Sequence, residues 1–301
     1  MACTVAPAGR DGVSTEPPAD AALERVPGAG PDGGGVLSLQ ALPGGTVNQS
    51  WRVRTAQGDF VLRVAGSAAR APGVDRRFEL AVHRRAADFL LAPEVVAGDL
   101  ECGVMVTRFC TGRAWSESDF SDARQLRRLG RQLQHLHRLP ADVADPAAFA
   151  PQQLARTYAD MALKRIDATA PSSRQLDALQ GEIGPAQRVL QGSGQRVLVH
   201  GDLTAGNVLD DGGLWLIDWE YAQITDPVYD LAALLCYHPA SRQHEHLLLE
   251  AAGIFGAGVG ARLAAASALH RTLGVLWYLA RGEITPNALE TGAVSGQTSA
   301  P

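Results

Sequence analysis

From Val36 onward the chain alternates apolar and polar residues in the short runs VLSLQAL, WRVRT and DFVLRV, the pattern of half-buried strands. Only AQG separates the last two, a hairpin turn, so they predict a small antiparallel sheet that GVMVTRF, from Gly103 to Phe109, extends. Elsewhere the period lengthens. In PGVDRRFELAVHRRAADFLLAPEVV, Phe78, Val82 and Phe89 share a helical face. DARQLRRLGRQLQHLHRLP places Leu126, Leu129, Leu133 and Leu136 on one side of an amphipathic helix that Pro140 closes. Its other side carries Arg124, Arg127, Arg128 and Arg131, a solvated face. Helical patterns continue from Leu154 to Ile166 and from Leu176 to Leu190. They resume from His244 to Ala252 and from Arg262 to Arg281.

The ends have a different texture. Residues 1–35 are rich in Pro, Gly and Ala and predict a flexible leader with one short helix near Ala21 to Val26. Residues 286–301 are small and polar and predict a disordered tail. Between them, 36–108 reads as a β lobe and 109–285 as a mostly helical lobe, with a hinge at Thr107 to Thr111. A chain of 301 residues with 46% hydrophobic residues buries enough core for two such lobes.

Charge and cysteines narrow the class. A formal charge of -5 argues against nucleic acid as a partner, which would call for a basic face. Cys3, Cys102, Cys110 and Cys236 form no C-x-x-C pair, so neither a disulfide framework nor a zinc site is indicated, and reduced thiols in a cytoplasmic protein are expected. The start of the chain lacks the apolar core of a signal peptide, and no run approaches the ~20 apolar residues of a membrane span. A soluble enzyme without a membrane partner is the expectation.

The candidate chemistry lies between Val197 and Ala233, VLVHGDLTAGNVLDDGGLWLIDWEYAQITDPVYDLAA. His200, Asp202 and Asn207 are spaced H-x-D-x-x-x-x-N, and Asp218 ends the following apolar run, which is the layout of kinase-type phosphoryl transfer. Mg²⁺ ions that bridge the phosphates of ATP need hard oxygen ligands, and Asn207 offers an amide oxygen and Asp218 a carboxylate. Asp202, one short loop away, is placed to accept the proton of a substrate hydroxyl. Upstream, PGGTVNQS sets Gly44 and Gly45 for close backbone approach and Thr46 and Asn48 for polar contact, suiting a loop laid over phosphates. A Gly pair between strands is equally an ordinary turn.

HGDLTAGNVL and LIDWEYAQITDPVYDLAALL resemble the aminoglycoside phosphotransferase and choline kinase superfamily of small-molecule kinases, the second stretch its choline, ethanolamine and thiamine kinase branch. The resemblance runs from Val36 to Gly282. It implies an α+β, bilobal, protein-kinase-like fold, with a five-stranded antiparallel lobe carrying one helix and a larger helical lobe. It implies that Arg63 stands where protein kinases hold a phosphate-binding lysine. Glu79, in the branch-like pattern of Asp75, Arg76 and Glu79, is the candidate ion-pair partner that fixes it. His200 would support the catalytic loop from below, and Asp230, at a helix start after Pro227, would accept the loop's N–H groups. Asp226 reads as a turn residue and Trp219 as core. Tyr221, beside Glu220, and Trp277, beside Tyr278, would line the acceptor pocket, although an aromatic pair on a helix also reads as core. His135 and His137 lie on different helix faces with no third ligand and read as structural. The activity implied is transfer of the ATP γ-phosphoryl group to a hydroxyl of a small cationic metabolite. An aminoglycoside or sugar acceptor, or a catalytically silent nucleotide-binding protein, is the alternative.

Overall fold

The computed structural model describes residues 17–43, 48–65, 73–140, 150–164 and 171–283. It divides into two compact units, one of Met1–Ala71 with Pro93–Thr111, the other of Pro72–Ala92 with Gly112–Pro301.

The first unit is built on an antiparallel sheet of β1 (Val36–Leu42), β2 (Asn48–Thr55), β3 (Gly58–Ala65), β4 (Val95–Asp99) and β5 (Val104–Arg108), in the order β1-β2-β3-β5-β4. Strand alternation sends every second residue to one face. There Trp51 lies opposite Leu62, Val53 opposite Phe60 and Leu62 opposite Val106, all buried. The AQG turn closes β2 onto β3 at Gly58, whose φ of 131° suits glycine. The short helix expected near Ala21 to Val26 is present, and it packs on this sheet rather than lying in a flexible leader. A one-turn helix α1 (Asp20–Leu23) and the segment after it place Ala22 and Val26 in this core. Thr55 Oγ1 donates to the Pro27 carbonyl at 2.7 Å, and Arg25 pairs with Asp99 at 2.7 Å. Burial of two apolar side chains outweighs a glycine-rich composition here.

The second unit begins with α2 (Arg76–Asp88), whose first N–H groups are capped by the Asp75 carboxylate at 2.9 and 3.1 Å from Arg77 N and Phe78 N. The expected lobe boundary is revised here as well. Phe78, Val82 and Ala86 face the core that α3 (Ala123–Leu136) fills with Leu126, Leu129, Leu133 and Leu136, so α2 packs with the helical unit rather than with the sheet. α4 (Pro151–Leu163), α5 (Pro171–Gln191) and α6 (Val228–Tyr237) pack against the long α8 (Val259–Arg281), and α7 (Glu245–Ala251) packs on α3. Short strands complete the unit: β6 (Arg113–Ala114), β8 (Val208–Asp210) and β9 (Leu214–Leu216) form one sheet, β7 (Val197–Val199) and β10 (Gln223–Thr225) another. The runs RVLVH and LWLID therefore enter different sheets, and their ends meet at the loops that carry the polar motif. No described helix is long and apolar enough to cross a membrane.

Candidate active site

β7 stops at Val199 and the chain turns sharply through Gly201, where φ is +79° and an added Cβ would sit 2.4 Å from the Tyr221 carbonyl oxygen. Only glycine fits this approach. The turn buries His200 and Asp202 completely or nearly so. Asp230, in the first turn of α6 and fully buried, accepts hydrogen bonds from Gly201 N at 2.8 Å and His200 N at 3.2 Å. His137 Nε2 meets the same carboxylate at 2.8 Å. The His200 ring accepts at Nδ1 from Asp202 N, 3.3 Å away, and gives its Nε2 proton to the Ile217 carbonyl at 3.0 Å. Burial lowers the pKa of this imidazole, so it serves as a neutral strut between the two loops.

Asn207 closes the loop. Its Nδ2 donates to the main-chain oxygen of Asp202 at 2.9 Å and to Asp202 Oδ2 at 2.8 Å, and its carbonyl accepts Ile217 N at 3.0 Å. Nδ2 is thereby committed, which leaves Oδ1 as the Asn207 atom for a hard cation. Asp218 follows in left-handed backbone geometry, φ 64°, sparsely populated for a residue with a side chain. Amide oxygen and carboxylate together form a donor set that suits Mg²⁺. No cluster of three or more His, Cys, Asp or Glu that could hold a metal occurs among the described residues.

The Asp202 carboxylate is pushed up to about 7, first by burial and then by the charges of Asp218 and Glu220, against the Tyr237 hydroxyl and Asn207 that favour its ionised form. Its Oδ1 accepts no hydrogen bond from the described residues. A buried carboxyl with an open oxygen and a pKa near neutrality is equipped to exchange a proton.

The second unit contains a cavity of about 370 Å³ that reaches Gly201, the residue before Asp202. Gly201 and Glu220 line it, as do Phe78, Trp277, His270 and all five tyrosines of the chain, Tyr158, Tyr221, Tyr229, Tyr237 and Tyr278. Burial raises the pKa of Tyr158, Tyr221, Tyr229 and Tyr237 and lowers that of His270 to about 4, so these rings are neutral near pH 7. Glu220 is buried and paired with Arg76 Nη1 at 3.0 Å.

Glu220, Tyr221 and Trp277 thus share one wall system, while Trp219 is fully buried core and hydrogen-bonds the Leu216 carbonyl. Arg63 and Asn48 belong to the first unit, Arg63 opposite Ser50 and Met105, Asn48 opposite Ala65. Glu79 belongs to the second unit and is held by Arg76 at 2.7 Å. Gly44, Gly45 and Thr46 lie outside the described residues. Sequence reasoning missed Tyr158, Tyr229 and Tyr237 as lining residues and took His137 as merely structural. α6 is apolar almost throughout, so its tyrosines read as core, and nothing near His137 in the chain points to Asp230. Asp226 likewise does more than end a turn: it accepts Val228 N at 3.0 Å and pairs, buried, with Arg262 at 2.8 Å.

A five-stranded sheet unit, a helical unit and this loop chemistry define a kinase-like phosphotransferase fold. Residues 38–269 match the profile of the phosphotransferase enzyme family, and the chain belongs to that family. It is similar to a choline/ethanolamine kinase family protein of Mesorhizobium loti, with 26% identity, a TM-score of 0.70 and 92% of each chain covered. It has the fold of the choline kinase LicA of Streptococcus pneumoniae, with 22% identity, a TM-score of 0.68, and 88% of this chain and 94% of that one covered; a LicA structure in complex with AMP superposes equally well, at 0.68. Protein LicA of Haemophilus influenzae is 25% identical over 209 residues, 69% of this chain, and the chain spans 60% of that relative's length.

Proposed function

We propose that this protein transfers the γ-phosphoryl group of ATP to the hydroxyl of a small cationic alcohol of the choline, ethanolamine or thiamine kind. The observation that carries the reading is the cavity that reaches Gly201, next to Asp202, walled by all five tyrosines, Trp277 and Glu220. Ring faces attract cations, by roughly 0.5–2 kcal/mol per good contact, and do little for a neutral sugar. A polycationic aminoglycoside would call for several free carboxylates, whereas Glu220 is already paired with Arg76.

In this reading Asp202 accepts the hydroxyl proton as the oxygen attacks phosphorus. Asn207 Oδ1 and Asp218 would hold Mg²⁺, which neutralises charge on the phosphates. Asp230 and His200 keep Asp202 in place through the loop backbone. Asn48 and Arg63 would serve the nucleotide phosphates, as would Gly44, Gly45 and Thr46, which lie outside the described residues, and Glu79 is held by Arg76. Glu220, Tyr221 and Trp277 orient the acceptor. The AMP bound to a LicA structure supports adenine nucleotide as the donor. The setting in this reading is cytoplasmic, where thiols stay reduced.

The test is ADP release by the purified chain with MgATP across choline, ethanolamine, thiamine, neutral sugars and aminoglycosides. Turnover confined to the cationic alcohols is expected. Preference for a sugar or an aminoglycoside would overturn the acceptor class.

A further inference from the structure

α6 grips the loop around Asp202 at both of its ends. At the start, Asp230 accepts the N–H groups of His200 and Gly201, the two residues before Asp202. Just past the end stands His238, whose Nε2 lies 3.2 Å from the carbonyl oxygen of Leu203, the residue after Asp202. Between them Tyr237 lines the same cavity as Gly201. The loop is therefore fixed on one side by an acceptor and on the other by a donor.

His238 is in turn built into place. It is 3% exposed, and its ring stacks on fully buried Phe120 with centroids 3.5 Å apart and planes 10° from parallel. Its Nδ1 faces both carboxylate oxygens of Glu117, each at 3.0 Å. The Glu117 side chain is 71% exposed. A carboxylate and a peptide carbonyl are both acceptors, so each ring nitrogen faces an acceptor. Glu117 thus orients the ring so that Nε2 faces the Leu203 carbonyl.

We propose that Glu117 and His238 are positioning residues for Asp202: a surface carboxylate sets a buried imidazole, which holds the Leu203 carbonyl and with it the register of the catalytic loop. The proposal rests on the reading of Asp202 as the base. Neither residue touches substrate. Because displacement of a reacting group by about 1 Å can cost about 100-fold, partial loosening of one loop anchor should cost on the order of ten-fold in kcat.

The test uses the full chain with Glu117→Ala, Glu117→Asp and His238→Gln, read by hydrogen exchange of the segment 200–207 and by steady-state kinetics with MgATP and choline or ethanolamine. Expected is faster exchange of that segment in Glu117→Ala and His238→Gln, with α3 and α8 protected as before. The kcat should fall about ten-fold while KM for ATP stays within about two-fold. Glu117→Asp, which keeps the carboxylate, should restore most of both. Glu117 lies at the surface, so its variants report even if His238→Gln fails to fold. Native exchange and native kcat in Glu117→Ala would overturn the proposal. Loosened exchange with full turnover in Asp202→Asn would instead sink the reading of Asp202 as base, and the positioning role with it, through a separate observation.

Discussion

Asn207 Nδ2 spans the Asp202 side chain and main chain at once, 2.8 Å from Oδ2 and 2.9 Å from the backbone oxygen. One amide thereby sets the direction of the neighbouring carboxylate and leaves Oδ1 of Asp202 open. In the proposed mechanism this pair ties the metal-side residue to the base.

Asp202→Asn should lower the rate of phosphoryl transfer by ~10²–10⁴-fold, the usual worth of a general base. Nucleotide affinity should hardly change, because in the proposed mechanism the lost group acts on the acceptor hydroxyl. Single-turnover kinetics with prebound MgATP measures the effect, and near-native transfer would remove Asp202 from the role.

The raised pKa of Asp202, about 7, makes two pH effects opposite in sign. A base works ionised, so kcat/KM should climb as pH rises through neutrality and then level off. Stability should move the other way. The folded carboxyl holds its proton more tightly than the ordinary carboxyl of the unfolded chain, so its contribution is fully present below about pH 4 and is lost as pH rises toward 7. Asp202→Asn should therefore melt above the native protein at pH 8, with the gap closing by pH 4. Thermal melts of both proteins across that range decide the matter.

Asp218→Ala should abolish the Mg²⁺-dependent part of nucleotide binding, whereas Asn207→Ala should weaken it, since a carboxylate is the stronger ligand for a hard cation. Calorimetry with ATP in the presence and absence of Mg²⁺ gives the order. Metal-independent affinity in both variants would refute the metal assignment.

Trp277 lies in the cavity wall with its ring edge against Tyr278, centroids 5.0 Å apart. Trp277→Leu keeps apolar bulk and removes the indole face, so it should raise the acceptor KM about ten-fold, the equivalent of one cation–ring contact of ~1.4 kcal/mol. The ATP KM should stay put. Initial-rate measurements against each substrate in turn separate the two, and an unchanged acceptor KM would return Trp277 to a packing role.

Local features were legible in the residues alone. The spacing from His200 to Asn207 lies within a single loop, the alternation of Trp51, Val53, Phe60 and Leu62 within a hairpin, and the leucine face of α3 within four turns of helix. Such patterns survive because backbone geometry repeats over a few residues. Tertiary structure alone decided what converges. Tyr158, Tyr221, Tyr229, Tyr237 and Tyr278 arrive from α4, the turn after Asp218, α6 and α8 to wall one cavity. His137 and Asp230 meet across 93 residues, and α2 joins the helical unit because its apolar face matches that core. A single tyrosine or histidine on an apolar helix looks the same whether it fills a core or lines a pocket. Which of the two it does depends on the empty space that other elements leave beside it, and no local pattern encodes that space.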